Sequence, residues 1–304
     1  MTVATIFGGG FGLYGYIAAL KETGFVNFII SIRHKALMEQ KQNLSGHIKS
    51  CFFAEDFQMF SLPSDLVVFA VNPKKQEVLI SDFINKNPKK MLLLEKPLGA
   101  TPAISKRLAF DLNVNRITYG CNYIFLYTTW FQNLLTRHSE FNNIRISWSF
   151  KAHHLANNVD TWKRIPAEGG GLIRFYGIHL IYIASLLGFF TVIKSEVKVN
   201  STGDEISWSC TLEVKKHRRL LIYLDALAPN SAFDIYCDES QTINLMDPFE
   251  LDAPEDLIRD RRHNLIKKHI LSSIGKHSGA DYANECNAIS LWKDIEIINT
   301  NFEI

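Results

Sequence analysis

The amino-acid sequence predicts an α/β protein of two domains, the first built on a doubly wound parallel sheet and the second on an open, mostly antiparallel sheet. Three observations lead to this prediction. The chain has 304 residues, and at about 100–200 residues per domain that length favours two domains. Within residues 1–120, short apolar runs alternate with helical segments, as in βαβ units. Beyond that point, apolar and polar residues alternate one by one, which is typical of strands with one covered face.

The predicted strands of the first domain, residues 1–120, are apolar runs without polar alternation. This pattern suits strands that are covered on both faces of a sheet. The strands are predicted at residues 3–7, 26–31, 65–71 and 91–94. Helices are predicted at residues 14–21, where Gly24 ends the first one, and at residues 76–85. The order of these elements predicts parallel strands joined by helical crossovers.

The second domain, residues 121–304, is predicted to hold five strands. They are expected at residues 144–150, 206–214, 219–227, 232–237 and 242–246. One long apolar helix is predicted between the first two strands, at about residues 172–187. The sequence from residue 256 onward is predicted to be helical, and we expect residues 284–298 to pack back on the first domain.

The composition excludes several classes of protein. Lys and Arg number 33 against 31 Asp and Glu, so the net charge is +2 and we expect no nucleic-acid partner. The five cysteines are widely spaced without a Cys-x-x-Cys motif, which predicts no structural metal site and suits a reducing compartment. The N-terminus does not resemble a signal peptide, and the apolar stretch 178–193 is too short to span a bilayer. We therefore expect a cytoplasmic protein without metal ion or membrane contact.

A glycine-rich turn lies where the first predicted strand meets the first predicted helix. Gly10, Gly12 and Gly15 match the pattern G-x-G-x-x-G, with Phe11 inside it, and Gly8 with Gly10 forms a competing register. Glycine permits a tight turn and close approach of the backbone to a pyrophosphate, which the helix N-terminus attracts. The turn therefore predicts dinucleotide binding, and a strand–helix turn without a ligand is the alternative.

The end of the second predicted strand bears on the choice of cofactor. An NAD site usually has Asp or Glu there, which binds the ribose 2′-hydroxyl. This chain instead has Ser31 and Arg33, followed by His34 and Lys35. A hydroxyl and the forked donors of an arginine suit a 2′-phosphate. NADP(H) is therefore favoured, with NAD(H) as the alternative.

Two further motifs carry groups that could act on a substrate. Glu95-Lys96-Pro97 follows a buried strand, so Lys96 is predicted at the carboxyl edge of the sheet, where its ammonium could stabilise charge on a substrate oxygen. Three glycines at residues 169–171 precede the apolar helix that carries Arg174, Phe175 and His179. A lone histidine on an apolar helix is more often a satisfied core residue than a catalyst, and a lysine in a loop is often merely solvated.

Taken together, these motifs resemble the Gfo/Idh/MocA oxidoreductases. The resemblance rests on the glycine turn, Ala70-Val71-Asn72-Pro73, Glu95-Lys96-Pro97-Leu98, Trp162, and Gly-Gly-Gly-x-x-x-x-x-Gly-x-His ending at His179. It covers nearly the whole chain in the right order. It implies a Rossmann domain followed by an α/β domain, a nicotinamide cofactor, and a sugar, nucleotide-linked sugar or sugar-like substrate. It also implies a homodimer or homotetramer formed through the second sheet.

The resemblance further implies roles for individual residues. Lys96 corresponds to the family's active-site lysine, and His179 to its usual acid/base residue, which suits a side chain that titrates near neutral pH. The residues predicted to bind the cofactor are Gly8, Gly10, Phe11, Gly12, Gly15, Ser31, Arg33, Asn72, Pro73, Glu95 and Lys96. The residues predicted to bind the substrate are Lys96, Asn122, Trp162, Arg174, Phe175, Tyr176 and His179.

Three positions depart from the family pattern. Phe175 stands where the family commonly has Asp, Tyr182 where an acid is frequent, and Gln76 where a histidine is usual. The site therefore keeps lysine and histidine and loses a carboxylate that helps to place the substrate. The leading hypothesis is an NADP(H)-dependent oxidoreductase that interconverts a secondary alcohol and a ketone. The alternatives are a catalytically weakened binding protein of the same fold and a reductase of an imine or conjugated double bond.

Overall fold

The computed structural model describes residues 2–86, 90–214, 218–256, 259–274 and 279–303. The chain divides into two compact units, each assembled from three segments. The first unit contains Met1–Leu98, Arg107–Ile124 and Asp252–Ser278. The second unit contains Gly99–Lys106, Phe125–Leu251 and Gly279–Ile304.

Strands and helices alternate over the first half of the chain, and strands dominate the middle of the second half. The strands are β1 Thr2–Phe7, β2 Phe25–Ser31, β3 Cys51–Ala54, β4 Leu66–Phe69, β5 Met91–Leu94, β6 Tyr119–Cys121, β7 Asn143–Lys151, β8 Thr191–Val199, β9 Glu205–Val214, β10 Arg218–Asp225, β11 Leu227–Cys237, β12 Ser240–Leu245 and β13 Thr300–Glu303. The α-helices are α1 Ile17–Glu22, α2 Lys35–Gln40, α3 Gln42–Ser45, α4 Pro73–Lys86, α5 Pro102–Val114, α6 Thr129–Arg137, α7 His153–Ala156, α8 Ile178–Leu186, α9 His263–Ser273 and α10 Gly279–Ile298. A π-helical turn precedes α1 at Gly12–Tyr16, and another precedes α8 at Ile173–Gly177.

The sheet of the first unit is parallel, as predicted, with strand order β3-β2-β1-β4-β5-β6. The strand β1 lies between β2 and β4, so the direction of winding reverses at β1. In open α/β sheets, ligands bind outside the carboxyl ends of the strands at such a switch point. The short strands β3 and β6 were not predicted from the sequence.

The central strands of this sheet are covered on both faces, which explains their unbroken apolar runs. All four residues of β4 are buried, as are the last four of β1. A ring cluster on β1 and β4 contributes, since the rings of Phe7 and Phe69 meet edge to face at 5.4 Å. This packing fixes the positions of the loops that follow the strands.

The sheet of the second unit has strand order β12-β11-β7-β10-β9-β8-β13 and is mostly antiparallel, as predicted. Two neighbouring pairs are parallel, β7 with β10 and β8 with β13. Alternation along β7 buries Ile144, Ile146 and Trp148 and leaves Arg145 exposed. The helix α8 is almost entirely buried, and α10 packs on it and on β8. One face of the sheet therefore contributes to a core.

A segment from the far end of the chain completes the first unit. The helix α9 packs on α1 and β6, and the carboxylate of Glu22 on α1 receives Arg259 at 2.7 Å, Lys267 at 2.7 Å and His263 at 3.1 Å. This return at residues 252–278 was not predicted from the sequence. Residues 284–298, for which we expected packing on the first domain, belong to α10 in the second unit.

Candidate functional site

The glycine turn after β1 is shaped by contacts that only glycine allows. Gly8 has a φ of 128°, and a Cβ on it would overlap the carbonyl oxygen of Ala70, the residue after β4. A Cβ on Gly12 would lie 3.1 Å from both the Ala70 Cβ and the Ile6 side chain. Gly8 therefore lets the chain turn closely past β4, and Gly12 lets the following helix pack closely on the sheet.

Gly10 differs from these two glycines because its surroundings are open. It is exposed, and no atom lies within 4 Å of a Cβ placed on it. Its carbonyl oxygen accepts the N–H of Leu13 at 2.9 Å, which starts the helix. Gly15, by contrast, makes room for the chain itself, since a Cβ there would overlap the ring of Phe11. Among the glycines of this turn, Gly10 is thus the one with space beside it for an external group.

The ends of β2 and β3 contribute charged side chains next to this turn. Ser31 is buried at the end of β2, and the exposed Arg33 pairs with Asp56 at 2.9 Å. The ring of His34 lies against Gly9, where an added Cβ would overlap it. Burial lowers the pKa of His34, and the charges of Arg33 and Lys75 lower it further. Neither His34 nor Asp56 was predicted as a site residue.

Asn72 and Pro73 lie at the start of α4, directly after β4. The Asn72 side-chain oxygen accepts the Lys75 N–H at 2.8 Å and caps the helix, while Pro73, its first residue, is buried. Both residues therefore shape the helix end that faces the carboxyl edge of the sheet.

The Glu95-Lys96-Pro97 segment is held in place by the side chain of Gln76 on α4. The Gln76 Nε2 donates to the Glu95 carbonyl oxygen at 2.8 Å and to the Leu98 carbonyl oxygen at 3.0 Å. Its Oε1 accepts the Glu95 N–H at 2.8 Å. Gln76 is fully buried, and the Lys96–Pro97 peptide bond is cis. Gln76, which stands where the family usually has histidine, thus fixes the backbone on both sides of Lys96.

The side chain of Glu95 is the centre of a second network. Its Oε1 accepts the Tyr16 hydroxyl at 3.1 Å and the Asn122 amide at 3.0 Å. Desolvation raises the pKa of Glu95, and the neighbouring charge of Lys96 opposes this rise. Asn122 is buried. Glu95 therefore holds the Asn122 side chain by a hydrogen bond, and its carboxyl group interacts with the charge of Lys96.

Arg262 adds an unpredicted cation to the first unit. Its guanidinium lies 4.2 Å from the centre of the Phe11 ring and bonds to the Asp260 carboxylate at 2.8 and 2.7 Å. Both residues come from the segment 252–278. The glycine turn is thus supported from a part of the chain some 250 residues away, which periodicity could not reveal.

In the second unit, the glycine run 169–171 is filled by the chain's own groups. A Cβ on Gly170 would overlap the Trp162 carbonyl oxygen, and Gly171, with a φ of 90°, faces the Glu205 carboxyl group. The Glu205 Oε2 accepts the N–H of Leu172 at 2.5 Å and of Ile173 at 3.3 Å. Burial raises the pKa of Glu205, and these backbone hydrogen bonds oppose the rise.

The predicted substrate-binding side chains of this unit form an aromatic wall. The ring of Phe175 meets Trp162 at 5.4 Å and Tyr176 at 4.7 Å, both edge to face, and the Lys163 ammonium lies 5.0 Å from its centre. Burial raises the pKa of Tyr176. The structure therefore brings Trp162, Phe175 and Tyr176 together.

His179 and Arg174 have different surroundings within the second unit. His179 is buried and stacks on Phe125, with ring centres 4.4 Å apart and planes 8° apart. Arg174 bonds to the Glu296 carboxylate of α10 at 2.7 and 3.0 Å and to the Pro166 carbonyl oxygen at 2.6 Å. Arg174 thus joins the segment before the glycine run to α10, and its predicted contact with substrate remains a prediction.

The carboxyl edge of the first sheet fits a dinucleotide. Three buried polar atoms there, Asp56 Oδ1, His34 Nε2 and Asn122 Oδ1, make no hydrogen bond within the described part of the chain. They follow β3, β2 and β6, so they lie outside the carboxyl ends of parallel strands. Together with the open Gly10, they offer a cradle and unsatisfied polar atoms to a polar ligand.

The described residues contain neither a candidate metal site nor a candidate membrane span. Over the ranges given above, no group of three or more His, Cys, Asp and Glu side chains could hold a metal ion. No helix in the same ranges is long and apolar enough to cross a membrane.

The comparisons with known proteins concern the fold. No protein-family model and no curated protein matches the chain. KijD10, a 3-ketoreductase from Actinomadura kijaniata solved with NADP and TDP-benzene, is 12% identical with a TM-score of 0.73, over 100% of this chain and 99% of that chain. A proposed myo-inositol dehydrogenase from Sinorhizobium meliloti is 13% identical with a TM-score of 0.71, over 96% of this chain and 95% of that chain. GenD2 from gentamicin A biosynthesis, solved with NAD, is 12% identical with a TM-score of 0.71, over 97% and 93%.

These likenesses extend over nearly the full length of both chains in each case. The chain is a two-domain α/β protein with the fold of these solved structures, which is the fold that the motif resemblance predicted. At 12–13% identity, the likeness establishes the fold.

Proposed function

We propose that this protein is an NAD(P)(H)-dependent oxidoreductase of the Gfo/Idh/MocA type. It interconverts a secondary alcohol and a ketone on a sugar, a nucleotide-linked sugar or a sugar-like substrate. The observation that carries the proposal is the glycine turn at the switch point of the parallel sheet, where Gly8 and Gly12 fit closely and Gly10 is open. The ligands of KijD10 and GenD2, NADP and NAD, support a dinucleotide at this turn.

In this proposal, the backbone at Gly8, Gly10 and Gly12 receives the pyrophosphate. Ser31 and Arg33 receive the adenosine ribose, and Arg33 favours NADP(H) through its donors. Asn72, Pro73 and Glu95 border the site at the carboxyl edge of the sheet. The nicotinamide, when bound, supplies the hydride chemistry.

The protein's own contribution is placement and proton handling. The Lys96 ammonium donates to the substrate oxygen and stabilises negative charge on it. His179 gives a proton to that oxygen or takes one from it. Asn122, Trp162, Phe175 and Tyr176 contact the substrate. Gln76 holds the backbone on both sides of Lys96, and the Glu95 carboxyl group interacts with the Lys96 charge.

The remaining expectations belong to the same proposal. We propose a cytoplasmic protein, from its cysteine usage, that acts on a small molecule without nucleic-acid or membrane partners. We propose that it forms a homodimer or homotetramer through the second sheet. In support, Leu221 and Tyr223 on the central strand β10 are 38% and 39% exposed. Light scattering after chromatography would give the mass, and a monomer with an intact fold would contradict this part.

The main test is turnover with purified protein. Keto-sugars and nucleotide-linked keto-sugars are assayed with NADPH and NADH, and oxidation of the nucleotide is followed. We expect Lys96→Met to lower kcat about a hundredfold while the Kd of the nucleotide changes less than about twofold. Lys106→Met, which removes an exposed lysine, is the matched control. Unchanged turnover in Lys96→Met would reject the role of Lys96.

A second candidate, dinucleotide binding without turnover, is favoured by one feature of the second unit. The position where the family commonly has Asp holds Phe175, and His179 stacks on a phenyl ring. Binding of the nucleotide with no oxidation across the substrate panel would support it. Where oxidation occurs, the structure of the product distinguishes reduction of a ketone from reduction of an imine or conjugated double bond.

A further inference from the structure

We propose that Asp56 determines the choice between NADH and NADPH, together with its ion-pair partner Arg33. The inference rests on the proposed function only in that it requires a dinucleotide at the glycine turn. The sequence has no acid at the end of β2, which favoured NADP(H). The structure assigns that missing acid to the neighbouring strand.

The parallel pairing of β2 and β3 explains how Asp56 reaches this position. Ser31, the last residue of β2, pairs with Ala54, the last residue of β3. Arg33 and Asp56 each lie two residues beyond this pair, so the register places them side by side at the carboxyl edge. The Arg33 Nη2 and the Asp56 Oδ2 are 2.9 Å apart.

The two oxygens of the Asp56 carboxylate are not equivalent. Oδ2 faces Arg33, whereas Oδ1 is buried and makes no hydrogen bond with the residues that the structure describes. A carboxylate oxygen only accepts hydrogen bonds, so this one calls for a donor. Roughly half of each side chain remains exposed, 48% for Arg33 and 44% for Asp56, so a ligand can reach the pair.

His34 connects this pair to the glycine turn. Its ring lies against Gly9, and the charge of Asp56 raises its pKa against the larger effect of burial. The pair therefore borders the glycine turn. In a doubly wound fold, the ribose that is linked through the pyrophosphate lies between the turn and the end of β2.

The chemistry of the ribose 2′ position then determines how each cofactor is received. A 2′-hydroxyl donates to the partly exposed Asp56 carboxylate while Arg33 stays paired with Oδ2. A 2′-phosphate carries nearly two negative charges, so it is attracted by Arg33 and repelled by Asp56. It also has to draw Arg33 away from its present partner. Asp56 thus favours NADH and Arg33 favours NADPH, so the pair sets the ratio of the two affinities.

The test measures the Kd of NADH and of NADPH by fluorescence titration, without any substrate. Asp56→Asn is expected to weaken NADH about tenfold and to tighten NADPH, because it removes a charged acceptor and frees Arg33. Arg33→Ala is expected to shift the ratio in the opposite direction. Glu55→Gln is the matched control, since it removes the same charge from the adjacent exposed residue, and its ratio is expected to change less than about twofold.

The outcomes separate the inference from the proposed function. If both nucleotides bind and Asp56→Asn leaves the ratio of their Kd values as Glu55→Gln does, the role of Asp56 is wrong and dinucleotide binding stands. If the wild-type protein binds neither nucleotide, the proposed function fails and the inference fails with it. If Asp56→Asn and Arg33→Ala shift the ratio of the NADH and NADPH Kd values in opposite directions, the role of Asp56 and Arg33 in cofactor choice is supported.

Discussion

Two glycine runs in this molecule have the same sequence context and opposite surroundings. Residues 8–10 and residues 169–171 each precede a π-helical turn that leads into a helix. At the first run, Gly10 is exposed and its surroundings are open. At the second run, the Trp162 carbonyl oxygen occupies the space that a Cβ on Gly170 would need. The Glu205 carboxyl group accepts the N–H groups of Leu172 and Ile173 at the start of the helix.

The difference shows what a glycine run before a helix does and does not predict. Both helix N-termini attract negative charge. At the second run the protein supplies its own carboxyl group, so glycine serves close packing of the chain. At the first run Gly10 leaves open space, which the proposed function assigns to the pyrophosphate of the nucleotide. The glycines alone therefore predict close approach, and the partner decides whether the run is a binding site.

The largest effect is expected from Gly170→Ala. Its Cβ would overlap the Trp162 carbonyl oxygen and lie 2.6 and 2.7 Å from the Lys163 backbone carbon and oxygen. Backbone atoms cannot move aside easily, so the second unit is expected to lose about 3 kcal/mol of unfolding free energy. Tryptophan fluorescence in urea reports on this unit alone, because the chain's five tryptophans, Trp130, Trp148, Trp162, Trp208 and Trp292, all belong to it.

Two controls accompany this variant. Ser201→Ala is a change at an exposed position of the second unit, which the fluorescence reports. Gly46→Ala is a glycine-to-alanine change in the first unit, with no atom within 4 Å of the added Cβ. An unfolding midpoint of Gly170→Ala equal to that of the wild-type protein would show that the second run is not closely packed. The distinction between the two runs would then disappear.

The next effect is expected from Glu205→Ala, which removes the internal acceptor at the second run. The N–H groups of Leu172 and Ile173 lose their acceptor, and the second unit is expected to lose about 2 kcal/mol. Glu205→Gln keeps an oxygen acceptor and is expected to lose less. The same fluorescence measurement compares the two variants, and equal losses would mean that the hydrogen bonds to Glu205 do not stabilise this helix end.

Gly10→Ala tests the open run. There is room for the added Cβ in the protein, so the unfolding free energy is expected to stay within about 0.5 kcal/mol of the wild-type value. Under the proposed function, the methyl group would enter the space of the nucleotide, so the Kd of NADPH is expected to rise about tenfold, or about 1.4 kcal/mol. Gly46→Ala is again the control. A Kd that does not change would remove the first run from the binding site.

The smallest effect is a pH dependence of the loop that leads into the second run. Arg164 bonds to Asp204 at 2.8 and 2.6 Å, and this hydrogen bonding lowers the pKa of Asp204. The unfolded chain therefore binds this proton more tightly than the folded chain. The stability from Asp204 is complete above its ordinary pKa of 3.8 and is lost as the pH falls through the lower folded value.

Midpoints of urea unfolding measured from pH 5 to pH 3 check this dependence. The wild-type midpoint is expected to fall more steeply than that of Asp204→Asn. Asp294→Asn, at an exposed position of α10, is expected to follow the wild-type curve. Parallel curves for Asp204→Asn and the wild-type protein would show that the bonds between Arg164 and Asp204 do not stabilise the second unit.

Much of the fold could be predicted from the sequence because the information was local. Apolar runs, single-residue alternation and punctuating glycines mark strands and turns within a few residues of themselves. They predicted the strands that became β1, β2, β4 and β5, and the alternation along β7 and β9. The strands β3 and β6 have four and three residues, too few for a clear period.

The candidate site was less predictable because the residues that support its predicted members come from distant parts of the chain. Asp56 reaches Arg33 only through the pairing of β2 with β3, and Glu205 reaches the second glycine run across 33 residues. Gln76 stood out as a departure from a family pattern. Its hydrogen bonds to the backbone around Lys96 could be recognised only in the three-dimensional structure. Contacts of this kind depend on strand register and helix packing, which short windows of sequence do not encode.

The return of residues 252–278 to the first unit has a consequence for how the protein is made. Synthesis proceeds from the N-terminus, and domains generally fold as units when their chain is complete. The side of α1 that carries Glu22 stays uncovered until α9 is made. The residues of α9 are synthesised only after most of the second unit. A nascent chain that ends near residue 124 lacks this covering helix, so an isolated N-terminal fragment would leave apolar surface open to chaperones. The two units are therefore expected to mature together on the ribosome rather than one after the other.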